Sequence, residues 1–226
     1  MEKQSNTFKP SDRTKAWNKR LIAARPARNI AIRNTFLIYC EGANTEPEYF
    51  NSFPIMPQAN AIGLSRSGVS LVEKAIELMG KQKEIDPDQQ VWVVFDRDVR
   101  YSDGKKGDAD YNKAIKLANE KGIKCAYSND CFELWFVLHR EYQQSALYRK
   151  QYYEKLSKWL TINYEKDGKG KDFAKSLYSR FENQLETALK NAKKLHNSHN
   201  DKEFHQQNPC TTVYKLVEEL RKNLRR

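Results

Sequence analysis

Four short apolar runs, each the length of one buried β-strand, constrain this chain more than any other feature of its sequence. They are Thr35–Cys40, a weaker run at Ala59–Leu64, Val91–Phe95 and Lys124–Tyr127. Runs that are apolar at nearly every position, rather than at alternate positions, are typical of strands covered on both faces. Stretches with a helical spacing of apolar residues lie between them. The alternation predicts an α/β fold with a small parallel sheet of about four strands flanked by helices.

The helices between these strands have recognisable start signals. A Glu lies three residues after Thr45 and three residues after Ser70, which is the spacing of a capping box, so helices are predicted to begin at these two residues. Asp108 is predicted to cap the next helix. A further apolar helix is predicted over 131–139, after the fourth strand.

The sequence beyond His139 shows no pattern typical of a strand, and we expect only helices there. They are predicted over about 143–160, 172–196 and 210–224. The expected organisation is a basic N-terminal arm at 1–33, an α/β domain at 34–139, and a helical C-terminal appendage at 140–226 that packs on this domain.

Charge is distributed unevenly along the chain. The formal net charge is +7 for residues 1–35, −4 for residues 36–139 and +8 for residues 140–226. Basic flanks attract polyanions, so we expect nucleic acid as a partner, with Arg25 and Arg28 among the residues that contact phosphate. The alternative is that Lys-rich helices and the arm are simply solvated.

Several classes of protein are excluded by composition. No run approaches the roughly 18 apolar residues of a membrane span, and the first residues lack the apolar stretch of a secretory signal. We therefore expect a cytoplasmic protein without a membrane partner. The four cysteines have no CxxC spacing and are interpreted as reduced thiols. They are Cys40, Cys125, Cys131 and Cys210.

Acidic residues follow two of the predicted strands directly. Glu41 comes after the first strand, and Asp96 and Asp98 come after the third. Because parallel strands end at the same edge of the sheet, and alternate residues of an extended segment point the same way, these carboxylates are expected to converge. Three close carboxylates need a counter-charge, and hard oxygen ligands suit Mg²⁺ or Mn²⁺ rather than zinc. Taken separately, each acid could instead belong to an ordinary turn or loop.

Three more residues near this edge are candidates for function. Glu133 lies in the first turn of the helix after the fourth strand, where it could join the metal ligands or orient a water molecule, or merely interact with the helix dipole. Lys105 and Lys106 follow the acidic pair on a Gly- and Lys-rich segment. They are predicted to hold a phosphate, the alternative being a solvated loop.

In this arrangement the chain resembles the TOPRIM catalytic domain of type II topoisomerases, primases and several nucleases, which has a Glu after its first strand and Asp-x-Asp after its third. It resembles the RloB-like family of bacterial defence proteins more closely, over about residues 35–220. The blocks that carry this resemblance, in order, are Glu41-Gly42, Thr45-Glu46-x-x-Tyr49-Phe50, Phe95-Asp96-x-Asp98, Ser128-Asn129, Phe132-Glu133-x-Trp135, His139 and Asn208-Pro209-x-Thr211.

The resemblance implies a metal-dependent nuclease that acts on DNA or RNA. Glu41 would be general base or acid and metal ligand, Asp96 and Asp98 would hold Mg²⁺, and Glu133 would assist. It also implies a role in phage defence from a restriction–modification locus, beside an ATPase partner. The chain itself contains no GxxxxGK[ST] motif for ATP. Two alternatives stay open: a nucleic-acid-binding adaptor with a vestigial acidic site, and a TOPRIM-type nucleotidyl transferase.

Overall fold

A mostly parallel five-stranded sheet forms the centre of the structure, a computed structural model that describes residues 35–82, 86–97 and 104–224. The strands follow the order β2-β1-β3-β4-β5, and the first four are parallel. All four strands predicted from the apolar runs are confirmed, with ends that shift by two residues or fewer. The strands are β1 Thr35–Cys40, β2 Asn60–Gly63, β3 Gln89–Asp96, β4 Lys124–Asn129 and β5 Cys210–Thr211.

β5 corrects the expectation that no strand follows His139. Its two residues pair antiparallel with Ser128 and Asn129 of β4. The pairing is supported by side chains, since the hydroxyls of Ser128 and Thr211 lie 3.0 Å apart. A two-residue strand is too short to leave a periodic pattern, so its formation depends on these long-range contacts and could not be predicted from the local sequence.

Eight α-helices surround the sheet in the part of the chain that the structure describes. They are α1 Thr45–Asn51, α2 Gly68–Gly80, α3 Gly104–Glu120, α4 Glu133–Val137, α5 Arg149–Leu160, α6 Lys171–Phe181, α7 Leu185–Asn197 and α8 Val213–Arg221. Three short turns of other helix types connect them: a π-helical turn at Tyr164–Gly168 and 3₁₀ turns at Glu182–Gln184 and Phe204–Gln206.

The predicted capping residues are wrong. Thr45 is already the first residue of α1 and Ser70 is the third residue of α2. Neither Asn44 before α1 nor Ser67 before α2 caps its helix through a side chain. Asp108 lies inside α3, where its carboxylate accepts hydrogen bonds of 2.9 and 2.7 Å from the guanidinium of Arg97. Arg97, which lies 11 residues away in the sequence, therefore takes the carboxylate of Asp108 in place of the helix end.

Three predicted helices are also shorter than expected. The helix predicted over 131–139 covers only Glu133–Val137, that predicted from 143 begins at Arg149, and that predicted over 210–224 covers Val213–Arg221, since residues 210 and 211 form β5. The helix predicted over 172–196 is divided into α6 and α7 by the 3₁₀ turn.

Apolar side chains pack on both faces of the sheet, which explains why the strands are apolar at nearly every position. In β1, Phe36 and Ile38 face one side, whereas Leu37 and Tyr39 face the other. The second side is covered by α2 and α3. The first is covered by α1 and by every helix from α4 to α8, whose buried side chains form one continuous cluster with the strands. Among the described residues, no helix is long and apolar enough to cross a membrane.

Candidate functional site

The ends of β1 and β3 bring two of the predicted acids into contact. The backbone N–H of Glu41 donates to the carbonyl of Val94 at 2.8 Å, which extends the pairing of the two strands by one residue. The Glu41 carboxylate then accepts a hydrogen bond of 3.2 Å from the backbone N–H of Asp96. These acids therefore meet at the carboxyl edge of the sheet, as the strand pattern predicts.

A cavity of about 240 Å³ opens at this edge. Four acids line it, of which the sequence analysis had singled out three. It also contains two basic side chains that come from the C-terminal part of the chain. The charged lining residues are Glu41, Glu46, Asp96, Glu133, Arg149 and Lys169.

Glu46 is the acid that sequence reasoning missed as a site residue. It is the second residue of α1, yet only 8% of it is exposed. Its carboxylate folds back against Gly42, where any Cβ would collide with it, and backbone N–H groups of Glu46 and Gly42 donate to it. Burial, reinforced by the nearby charge of Glu133, raises the pKa of Glu46 to about 7. The only signal for it in the sequence was its place in the block that begins at Thr45.

The environment of Asp96 disfavours a charged carboxylate even more than that of Glu46 does. Burial raises its pKa well above the ordinary value, and the charges of Glu46, Glu41 and Glu133 add to this effect. One guanidinium nitrogen of Arg149, the first residue of α5, lies 3.5 Å from Asp96 Oδ2 and partly opposes the shift.

Lys169 supplies the second positive charge. Its Nζ lies 3.6 Å from Oε1 of Glu133, a buried acid at the start of α4. The same ammonium lies 4.3 Å from the centre of the Tyr153 ring and hydrogen-bonds to the Tyr153 hydroxyl. The amide of Asn44 donates to the Lys169 carbonyl at 3.4 Å, which ties this segment to the start of α1.

Other predicted site residues do not enter the cavity or cannot be placed. Asp98, Arg25 and Arg28 lie outside the described residues, as does the side chain of Lys105. Lys106 is exposed in the first turn of α3 and does not line the cavity. The convergence of Asp98 with Asp96 therefore stays a prediction.

His139 is a buried residue of the core that packs against aromatic side chains. It is buried between Trp135 and Phe181, and its Nδ1 donates to the Trp135 carbonyl at 2.9 Å. Burial lowers the pKa of His139 to about 4, so the ring is neutral at physiological pH. This histidine supports the helix that carries Glu133 and does not face the acids.

The donor chemistry of the cavity fits a hard divalent cation. It offers carboxylate oxygens without histidine or thiolate, and burial together with the charges of neighbouring acids raises the pKa values of Asp96 and Glu46. However, within the described ranges no three His, Cys, Asp or Glu side chains are arranged closely enough to hold a metal ion. Two of the acids instead face Arg149 and Lys169. A complete ligand set would need Asp98 and a movement of these basic side chains.

One comparison with known proteins gives a match. The family model described as RloB-like protein matches residues 36–220, which is most of the chain. No curated protein and no solved structure matches it.

Proposed function

This chain belongs to the RloB-like family, and on that premise we propose that it is a divalent-metal-dependent nuclease that hydrolyses phosphodiester bonds of DNA or RNA. One observation carries the proposal. Four carboxylates share one cavity at the carboxyl edge of a parallel sheet, where burial, and after it the charges of neighbouring acids, raise the pKa values of Asp96 and Glu46. Such a concentration of buried acids is costly to the fold and is typical of sites that bind cations.

The residues of the chain have separate tasks in this proposal. Glu41 and Asp96, together with Asp98, hold Mg²⁺ or Mn²⁺. When bound, the metal supplies charge stabilisation for the phosphate and lowers the pKa of a water molecule. Glu41 also accepts or returns the proton of the attacking water. Glu133 and Glu46 line the same cavity, where Glu133 orients the water and Glu46, with a pKa near neutrality, can exchange a proton.

The rest of the chain is suited to a nucleic-acid substrate. Residues 140–226 carry a net charge of +8, which favours sequence-independent contacts with the phosphate backbone. Because the sequence has no GxxxxGK[ST] motif, any ATP-driven step in phage defence would require a partner ATPase. Both the defence role and this partner are parts of the proposal that rest on family resemblance.

A specific observation favours one alternative, a nucleic-acid-binding adaptor with a vestigial acidic site. Arg149 and Lys169 already neutralise part of the acidic charge without a metal. An adaptor would keep these ion pairs permanently and would bind nucleic acid equally well with and without divalent ions.

A cleavage assay distinguishes the two. The purified protein would be incubated with single- and double-stranded DNA and with transfer RNA, in Mg²⁺, Mn²⁺ or EDTA. We expect metal-dependent cleavage of at least one substrate. Glu41→Gln and Asp96→Asn keep the shape of each side chain and remove its charge, so each should lower the rate by at least about a hundredfold.

The matched control is Glu120→Gln, which removes an exposed acid at the end of α3 that does not line the cavity. It should cleave as the wild type does. Wild-type cleavage by Asp96→Asn would contradict the mechanism. Metal-independent binding of nucleic acid without any cleavage would favour the adaptor.

A further inference from the structure

We propose that the free edge of β4, residues 124–126, binds an extended acidic peptide segment of a partner protein, which adds to the sheet as a further strand. This edge lies on the other side of the sheet from β2, and none of the four acids of the candidate site lines it. The inference therefore goes beyond the proposed nuclease function and does not depend on it.

The backbone of β4 is only partly covered at this edge. β5 pairs with Ser128 and Asn129. The Tyr127 N–H donates to the Thr212 hydroxyl at 2.9 Å, and the Thr212 N–H donates to the Tyr127 carbonyl at 2.8 Å. Backbone groups two residues apart in a strand point the same way, so the N–H and C=O of Cys125 face outward as well. Neither has a hydrogen-bond partner among the described residues, and both can therefore pair with an added strand.

The free edge forms the floor of a groove of about 440 Å³. Its walls are α3 and α8, which pack on opposite faces of the sheet, and both helices contribute side chains to the lining. A groove of this form admits one extended segment. The same edge of a second copy carries the same helices on its two faces, and these would collide with α3 and α8. The occupant that fits is therefore a peptide segment rather than a second folded copy.

The acids of the groove already have partners. Glu218 forms an ion pair with Lys193, and Glu219 forms one with Lys222 at 2.6 Å. Glu219 also accepts a hydrogen bond of 2.8 Å from the amide of Gln90. A basic peptide would have to compete with these partners for the two carboxylates.

Lysines are the charges of the groove that stay available. Lys215, an exposed residue of α8, forms no ion pair with any described residue. Burial raises the pKa of the Cys125 thiol to about 12, and the charge of Lys215 partly opposes this shift, so its ammonium lies near the free edge. Lys124 donates to the neutral amide of Gln90 at 3.0 Å and lies over the Trp92 ring. An acidic segment therefore complements the charge of the groove.

Alternate side chains of the added strand would meet different walls of the groove. On the α3 side the lining includes Ile115 and Phe204, and the Phe204 ring lies 5.8 Å from that of Tyr127 between ring centres. Successive side chains of a strand point to opposite faces. The segment that fits best thus alternates apolar residues, which contact the α3 side, with acidic residues, which face Lys124 and Lys215.

Nuclear magnetic resonance of the full-length protein tests the proposal with three short synthetic peptides. Each has Val at alternate positions, and the positions between them are all Glu, all Gln or all Lys. The Glu peptide should bind at least about tenfold more tightly than the Lys peptide, because only the former completes charged hydrogen bonds with the lysines. On binding, the Cys125 N–H should become protected from hydrogen exchange, whereas that of Ala126, which already faces β3, should not change.

Three variants locate the binding. Lys215→Glu should reverse the preference, so that the Lys peptide binds more tightly than the Glu peptide. Cys125→Pro removes the outward N–H but no hydrogen bond with β3, so it should weaken binding of the Glu peptide about 2- to 10-fold. The matched control, Lys116→Glu, reverses the charge of an exposed lysine of α3 that does not line the groove, and it should bind as the wild type does. Circular dichroism would confirm that each variant is folded.

Four results would overturn the inference. It is wrong if the Glu peptide binds no more tightly than the Lys peptide, if Lys215→Glu leaves their order unchanged, or if binding does not protect the Cys125 N–H. It is also wrong if this N–H is already protected in the free protein, because the chain itself or a second copy would then occupy the edge. None of these measurements involves nucleic acid or metal, so the nuclease proposal is decided separately by the cleavage assay.

Discussion

At the scale of single residues, the burial of Glu46 is a feature of the site that could not be predicted from the sequence. An acid in the first turn of a helix is ordinarily exposed and interacts with the helix dipole, so nothing in its position predicts burial. It is buried because Gly42 has no side chain and leaves room for the carboxylate. By contrast, the contact between Glu41 and Asp96 was predictable, since both follow strands that had to be neighbours at one sheet edge.

The pKa of Glu46 predicts how stability depends on pH. A Glu in the unfolded chain has a pKa of about 4.3, whereas that of Glu46 in the folded protein is about 7. Between these values the folded state binds more protons than the unfolded state, so the free energy of unfolding should fall as pH rises through this window. Glu46→Gln cannot ionise and should be more stable than the wild type above pH 7, by on the order of 3–4 kcal/mol.

Urea unfolding at a series of pH values checks this prediction. The two proteins should be equally stable below about pH 4 and diverge up to pH 7. Glu73→Gln, an exposed acid on α2, should give a constant offset instead. If Glu46→Gln were less stable than the wild type at pH 8, the charge of Lys169 would outweigh the cost of burying this carboxylate.

At the scale of elements, strands were predictable and helix ends were not. β1 and β3 are buried on both faces of the sheet, and this burial requires an apolar residue at nearly every position. The apolar runs are therefore visible in the sequence itself. The position of a helix end depends instead on which polar side chain forms the hydrogen bond with the free backbone groups there. Asp108 looked like a cap, but Arg97 takes its carboxylate, and this pairing spans 11 residues.

The side chain of Asn51 hydrogen-bonds to the backbone of the edge strand β2. β2 lies at an edge of the sheet, and Asn51 at the end of α1 pairs with it as another strand would. The Asn51 amide oxygen accepts from the Ala61 N–H at 2.8 Å, and the amide nitrogen donates to the Ala61 carbonyl at 2.9 Å. The side chain thus satisfies the outward backbone groups of a buried residue and blocks further pairing at this edge.

Removing this cap should destabilise the protein and expose the edge. Asn51→Ala leaves both backbone groups of Ala61 without their partner and should cost about 1–3 kcal/mol, measured by urea unfolding. Light scattering at high protein concentration should show more self-association. Asn51→Asp can still accept from the N–H, so its loss should be smaller. The control Asn60→Ala changes an exposed residue of β2 itself, and an equal loss there would contradict the role of Asn51.

At the scale of the whole molecule, the part beyond residue 139 contributes more to the candidate site and to the core than the sequence indicates. It was expected to be a helical appendage, and local patterns gave no reason to place Arg149 or Lys169 beside the acids. Their positions follow from the way α5 and the segment before α6 return to the sheet edge, which is a property of long-range packing. The same region supplies β5 and much of the cluster on one sheet face.

The last prediction is that residues 35–139 do not fold without this region. A chain ending at residue 139 would keep only α1 and α4 on one face of the sheet and would expose the rest of that face. Burying one large apolar side chain contributes about 1.5–3 kcal/mol, and the truncation removes more than six such side chains, whereas a domain is stable by only about 5–15 kcal/mol. Those completely or almost completely buried include Tyr152, Leu156, Leu177, Phe181, Leu189 and Leu216.

Circular dichroism and thermal unfolding of the truncated chain provide the measurement, and no cooperative transition is expected. In the intact chain, Leu189→Ala should cost about 2–5 kcal/mol and lower the stability of the sheet and of the C-terminal helices together. Fluorescence of variants that each keep one of the four tryptophans can follow both parts, because Trp92 reports on β3 and Trp159 on α5. Coincident transitions at both tryptophans would mean one cooperative unit. A truncated chain that melts cooperatively would instead establish the region up to residue 139 as an independent domain. The C-terminal region would then only add the basic side chains of Arg149 and Lys169 to its cavity.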